Sequence, residues 1–185
     1  AILSDPEAAQ YVDGTGFHLY EGKVEAQSAF KAEFPGKHIY FTEGSVFRCN
    51  GAIRLAQILR HWSRSYNAWV VMLDEHQKPN RGPHDASPTS IELLDDGSVR
   101  YNFDYYMQGQ FVKYIQRDAV RVESSLPDIR SFCNVAFLNP DGRVTLVAVN
   151  AAREAQPFVV KCGKQMFKTE LSAGTVATYM WRPMD

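Results

Sequence analysis

His38-Ile39-Tyr40-Phe41-Thr42-Glu43-Gly44-Ser45 is the stretch on which the reading of this chain turns. A β-prone run leads to a single carboxylate, then to Gly44, Ser45 and a helical pattern. An earlier segment repeats the arrangement: Val12-Asp13-Gly14-Thr15-Gly16-Phe17-His18-Leu19-Tyr20-Glu21-Gly22 is also extended and also ends in polar side chains. Two successive strand tips carrying His18, Tyr20 and Glu43 make a converging polar site. By position alone Glu43 is a solvated strand end, a cap for the next helix, or a catalytic carboxylate. Tyr40, Phe41 and Phe47 add apolar bulk around it, and Gly44 permits close approach of backbone or ligand.

Working outward, the pattern is β-α-β-α-β. Residues 12–20 and 38–43 read as strands. Val24–Phe34 reads as an amphipathic helix with Ala26, Phe30 and Phe34 in register, stopped by Pro35-Gly36. Asn50 reads as the N-cap of a helix running to about Ser63, with Ile53, Leu55, Ile58, Leu59 and Trp62 on one side. Ala68–Leu73 reads as a third buried strand ending at Asp74 and Glu75. Near-continuous apolar strands alternating with helices indicate a parallel sheet covered by helices. In an α/β barrel the chemistry sits at the C-terminal ends of such strands.

The character then changes. Lys78–Ser90, with Pro79, Gly82, Pro83 and Pro88, reads as a long loop, and Tyr105–Ile115 as one more helix. Beyond Arg117 come short strands at Arg121–Ser124, Cys133–Leu138, Arg143–Val149, Phe158–Lys161 and Val176–Trp181, with turns at Asn139-Pro140-Asp141-Gly142 and Ser172-Ala173-Gly174. This spacing suggests an antiparallel β-sandwich. The expected division is therefore residues 1–117, α/β, and 118–185, all β.

Composition narrows the function classes. A formal net charge of -1 gives no electrostatic case for nucleic acid. No apolar run approaches the roughly 20 residues of a membrane span. Cys49, Cys133 and Cys162 are too widely spaced for a disulfide framework or a zinc pattern. The opening Ala1–Ala9 reads as a connection already under way rather than a secretory leader. An aromatic content of 12% supplies rings for a core or for sugar stacking.

Three motifs in fixed order carry a family resemblance: Tyr40-Phe41-Thr42-Glu43-Gly44-Ser45, then Trp69-Val70-Val71-Met72-Leu73-Asp74 with Pro79-Asn80, then Tyr105-Tyr106-Met107-Gln108-Gly109-Gln110-Phe111-Val112-Lys113-Tyr114-Ile115. With the preceding Val12–Tyr20 strand, they resemble the C-terminal half of glycoside hydrolase family 30, the glucosylceramidase-like enzymes. The resemblance implies the C-terminal part (strands six to eight) of a (β/α)8 TIM barrel followed by a β-sandwich, and retaining hydrolysis of β-glucosides. It implies Glu43 as nucleophile, His18 and Tyr20 as sixth-strand residues lining the sugar site, and Trp69 as an eighth-strand platform at its floor. It implies no cofactor and no metal. Val70 stands where the family usually has Asn, and Gln77-Lys78 where it usually has Gly-Gly. The substrate thus stays open between a glucosylceramide-like glycolipid and a β-glucan such as a β-1,6-glucan. The resemblance favours a secreted or extracytoplasmic setting.

The family's acid/base is a glutamate on the fourth strand, which these residues do not include. The expected partner is therefore the N-terminal portion of the same enzyme or a second copy. This segment alone is expected to be inactive, with an edge and an apolar face left for the remaining strands. Two alternatives come from the residues themselves. Glu43 and Glu75 would form a self-contained carboxylate pair. Residues 118–182, with Phe158, Phe167, Tyr179 and Trp181, would form a non-catalytic carbohydrate-binding or structural module. Glu21 also competes for the role of reactive carboxylate. His76 and His84 suggest a metal, but the proline-rich loop between them lacks ligand spacing.

Overall fold

The computed structural model describes residues 2–45, 47–82, 88–125 and 130–184. After a short helix, α1 (Pro6–Ala9), come β1 (Gly14–His18), α2 (Glu25–Glu33), β2 (His38–Gly44), α3 (Arg48–Arg60) and β3 (Ser63–Ala68). The three strands form a parallel sheet in the order β1-β2-β3, and among the described residues it does not close into a barrel. Ile39 and Phe41 are buried on the helix side of β2. Phe17 packs edge-on against Phe30 of α2.

The third parallel strand differs from the expectation. Its residues are Ser63-Arg64-Ser65-Tyr66-Asn67-Ala68, not Ala68–Leu73. The apolar run splits: Trp69 leaves the sheet, and β4 (Met72–Asp74) joins β5 (Ile91–Leu93) and β6 (Val99–Tyr101) in a separate small sheet. Helix α3 stops at Arg60 because Trp62 takes a positive φ of 78°, which breaks helical geometry and frees Ser63 to begin the strand. Asn50 is likewise not the N-cap. The helix starts at Arg48 behind Phe47, which makes no side-chain cap bond.

Helix α4 (Phe103–Val112) precedes β7 (Val120–Val122), β8 (Phe132–Leu138), β9 (Val144–Asn150), β10 (Gln156–Cys162), β11 (Gln165–Leu171) and β12 (Thr175–Trp181). One antiparallel sheet runs β12-β9-β8-β7, and β10-β11 is a hairpin lying over it. Strand β11 is absent from the sequence reading because Gln165-Met166-Phe167-Lys168-Thr169-Glu170-Leu171 alternates around charged residues.

The middle sheet is covered on both faces. Cys133, Val135, Phe137, Val147 and Val149 share a core with Ala52, Ile53, Leu55 and Ala56 of α3 and Met107 and Phe111 of α4. The alternate residues Phe132, Ala136, Leu146 and Ala148 meet the hairpin through Val160 and Leu171. Double coverage explains why β9 is buried throughout its length. The helices of the α/β part are thus packed directly on the sandwich. At the join, Thr178 donates to the Gln110 carbonyl at 2.7 Å. Arg60 reaches across to the Ser124 carbonyl at 2.6 Å.

The open face of the parallel sheet is polar rather than apolar. His38, Tyr40 and Thr42 alternate with the buried residues of β2. The Tyr40 hydroxyl donates to Asp13 at 2.7 Å, and Arg64 meets the His38 ring at 2.8 Å.

Candidate active site

The C-terminal ends of the three parallel strands place the expected residues together. His18 ends β1 and is the register partner of Glu43 on β2. Trp69 follows the last residue of β3, and its N–H donates to the Gly44 carbonyl at 2.9 Å. Its indole is about half exposed, beyond the strand rather than under it.

Glu43 owes its direction to an irregularity in the strand. Phe17 pairs with Phe41, but the next residue, His18, pairs with Glu43, so Thr42 is an extra residue. The β2–β3 pairing also shifts between Phe41 and Gly44. A bulge of this kind re-aims the side chain that follows it. Here it turns Glu43 toward Tyr20, whose hydroxyl donates to the carboxylate. That hydrogen bond holds the Tyr20 phenol above its ordinary value, with smaller contributions from lost solvation and from the carboxylate charge. The His18 ring lies 5.2 Å from that of Tyr20. The result is a carboxylate with a neutral donor against it and an imidazole beside that donor, with Trp69 tied to the strand tip through its backbone. Such a pair combines a carboxylate oxygen able to accept protons or attack an electrophile with a phenol that donates to it.

Three residues support the site and were not singled out in the sequence. Gly44 accepts a second bond from the Tyr66 hydroxyl at 2.8 Å. Arg54 donates to the Ser45 carbonyl at 3.1 Å. Asp104 of α4, 5% exposed, accepts the Arg48 N–H at 2.5 Å and so supplies the cap that α3 lacks. Burial pushes the Asp104 carboxyl up, against the opposing pull of the Arg48 and Asp104 amides. Only a packing argument would have found these residues, because Tyr66, Arg54 and Asp104 all lie outside the motif stretch and meet it through the fold.

The competing carboxylates differ in placement, Glu21 sharing a cleft with His18 and Glu75 lying in the small-sheet region. Glu21 lines the cleft between α2 and α3. Glu75 belongs to the small-sheet region, where its N–H donates to Leu93 and its carboxylate lies 4.0 Å from His76. Glu75, His76 and Asp95 bring ligand atoms within 4.8 Å of one another, all exposed. His76 lies 3.0 Å from Asp95, and that bond raises its pKa. His84 lies outside the described residues. The sandwich aromatics are partly buried and contact one another: the Phe158 and Phe167 rings lie 5.8 and 5.6 Å from Tyr179, and Phe167 lies 5.9 Å from Trp181, while Phe158 and Trp181 also line a cavity between the sheet and the hairpin. They serve as packing between the two layers.

Residues 118–179 match the glycosyl hydrolase family 30 beta sandwich domain. The chain is 28% identical over 204 residues to lysosomal acid glucosylceramidase of Mus musculus, covering 98% of this chain and 39% of that protein. It is 27% identical over 155 residues to endo-1,6-beta-D-glucanase neg1 of Aspergillus fumigatus, covering 78% and 32%. Its fold matches SrfJ from Salmonella typhimurium with a TM-score of 0.89 at 21% identity, over 99% of this chain and 44% of that one. The chain thus spans 39% and 32% of the length of these two curated relatives.

Proposed function

We propose that this chain is the C-terminal part of a glycoside hydrolase family 30 enzyme, a reading supported by the family's beta sandwich domain at residues 118–179 and by its glycosidase relatives, and that it supplies the nucleophile of a retaining β-glucosidase site. The observation that carries the reading is the Glu43–Tyr20 pair at the C-terminal ends of adjacent parallel strands. That is the end at which barrel enzymes place their chemistry.

In the proposed reaction, ionised Glu43 attacks the anomeric carbon while a second carboxyl protonates the departing oxygen. The covalent glycosyl-enzyme then yields to water activated by that second group. The two carboxyls of a retaining enzyme stand about 5–5.5 Å apart. The second one comes from the portion of the enzyme that these 185 residues do not span. Tyr20 holds the attacking oxygen in line and stabilises its charge until the bond forms. His18 and Trp69 face the sugar, one through hydrogen bonding and one through the indole face. The substrate is a β-glucoside of glucosylceramide or β-1,6-glucan type, the two kinds named among the relatives.

The test uses the enzyme that contains this chain. A 2-deoxy-2-fluoro-β-glucoside with a good leaving group is expected to label Glu43, and Glu43→Gln is expected to abolish hydrolysis while preserving the fold. NMR of the first-formed product is expected to show retention. A label on Glu21 or Glu75, or an inverted product, removes Glu43 from the role.

A further inference from the structure

The backbone around Glu43 is not fixed by ladder hydrogen bonding alone. The pairing of β2 is irregular on both sides, with β1 at Phe17/His18 and with β3 at Phe41/Gly44. A bulged strand tip loses regular ladder bonds, so other contacts must set its direction. Tyr66 provides one. Its hydroxyl donates at 2.8 Å to the carbonyl of Gly44, the residue directly after Glu43. Its ring stacks on Phe41, with centroids 5.1 Å apart and planes 9° from parallel. Phe41 is only 4% exposed and the partly buried Tyr66 packs against the core, so stacking restrains the phenol. Burial pushes the Tyr66 phenol up to about 12, which keeps it a donor throughout the neutral range.

The glycine is part of the same device. A Cβ at position 44 would stand 2.9 Å from the Tyr66 oxygen and 2.7 Å from the Phe41 ring. A residue without a side chain lets the phenol reach the carbonyl. The neighbouring Ser45 carbonyl is held by Arg54.

We propose that Tyr66 is a positioning residue for Glu43: it touches no reacting atom, but its hydroxyl fixes the Gly44 carbonyl and so the direction in which the Glu43 carboxylate points. The inference rests on Glu43 being the nucleophile. It assigns a role to a residue of a polar strand, outside the sugar-facing set.

Tyr66→Phe keeps the ring and its stacking and deletes one oxygen, so the fold is retained. In the active enzyme, kcat is expected to fall about tenfold or more, because small misplacements of a reacting group are costly. KM is expected to stay within about twofold, since ground-state contacts to the sugar are unchanged. A second readout needs no substrate. NMR titration of ring-labelled tyrosine is expected to show the Tyr20 phenol falling toward its ordinary value of about 10, because a re-aimed Glu43 no longer accepts its hydrogen bond. Leu171→Ala, a core truncation in the sandwich, serves as a destabilised control and leaves both readouts at wild-type values. A Tyr66→Phe protein with wild-type kcat and a raised Tyr20 overturns the positioning role. Hydrolysis that survives Glu43→Gln overturns the nucleophile assignment instead.

Discussion

Glu43 shows how much of a site one residue's neighbours determine. Its approach strand was readable because Ile39, Tyr40 and Phe41 are strong strand formers. Its convergence with Tyr20 was readable because Glu43 lies at the tip of one strand of a parallel sheet and Tyr20 just beyond the tip of the strand beside it. The support from Tyr66 and Asp104 was not readable. It depends on where chain segments meet, and Asp104 lies far from Arg48 in sequence. Gly44 gives the sharpest residue-level prediction. Gly44→Ala places a methyl group 2.7 Å from the Phe41 ring and 2.9 Å from the Tyr66 hydroxyl, both held by stacking. Overpacking of a filled core costs roughly 1–3 kcal/mol. Urea unfolding is expected to show a loss in that range, together with reduced hydrolysis. A variant as stable as the wild type would mean that the strand tip yields easily.

Helix α3 shows what the element scale adds. Its apolar side was legible from Ile53, Leu55 and Ile58, all buried. Its two ends were not. The N-terminus is capped by a carboxylate from another helix, and the C-terminus ends early at a positive-φ tryptophan. The polar residues 64–67 consequently fall outside both the helix expected to about Ser63 and the strand expected from Ala68, although Ser63–Ala68 pairs with β2 along one side of the sheet. The helix's last turn also carries a pH dependence. His61 meets the Ser28 hydroxyl of α2 at 2.8 Å. Burial lowers its pKa, opposed by Glu25 and reinforced by Arg60 and Arg121. The unfolded chain therefore takes up the proton first as pH falls. The contribution to stability is fully present above the unfolded value of about 6.5 and is lost as pH drops from there toward the lower folded value. Urea midpoints measured from pH 8 to pH 5 are expected to decline across that window. The decline is expected to be shallower in His61→Gln, whose amide still reaches Ser28 but does not titrate. Equal slopes in the two proteins would assign the dependence to other groups.

At the scale of the whole molecule, the two parts differ in completeness. The sandwich sheet is covered on both faces, by α3 and α4 on one and by the β10–β11 hairpin on the other. The parallel sheet is covered by helices on one face only, and β1 and β3 are its edges. Its open face bears Asp13, His38, Tyr40 and Arg64 in a hydrogen-bonded group, so whatever packs there must bring polar complements as well as strands. Closing a barrel takes about eight strands, and these residues contribute three parallel ones. Retaining chemistry also needs a second carboxyl within about 5–5.5 Å of the first. Asp13 accepts from Tyr40, Glu75 lies beside His76, and Asp104 accepts from Arg48, so none of these three is free to be that second carboxyl. The 185-residue chain by itself is therefore expected to show no turnover of aryl β-glucosides. Co-expression with the N-terminal portion of the same enzyme is expected to restore it, and to slow amide exchange in β1 and β3 by covering their edges. Full turnover by the isolated chain, run as a monomer on size exclusion, would locate both carboxyls within these residues and would make Glu43 one half of a site complete in itself.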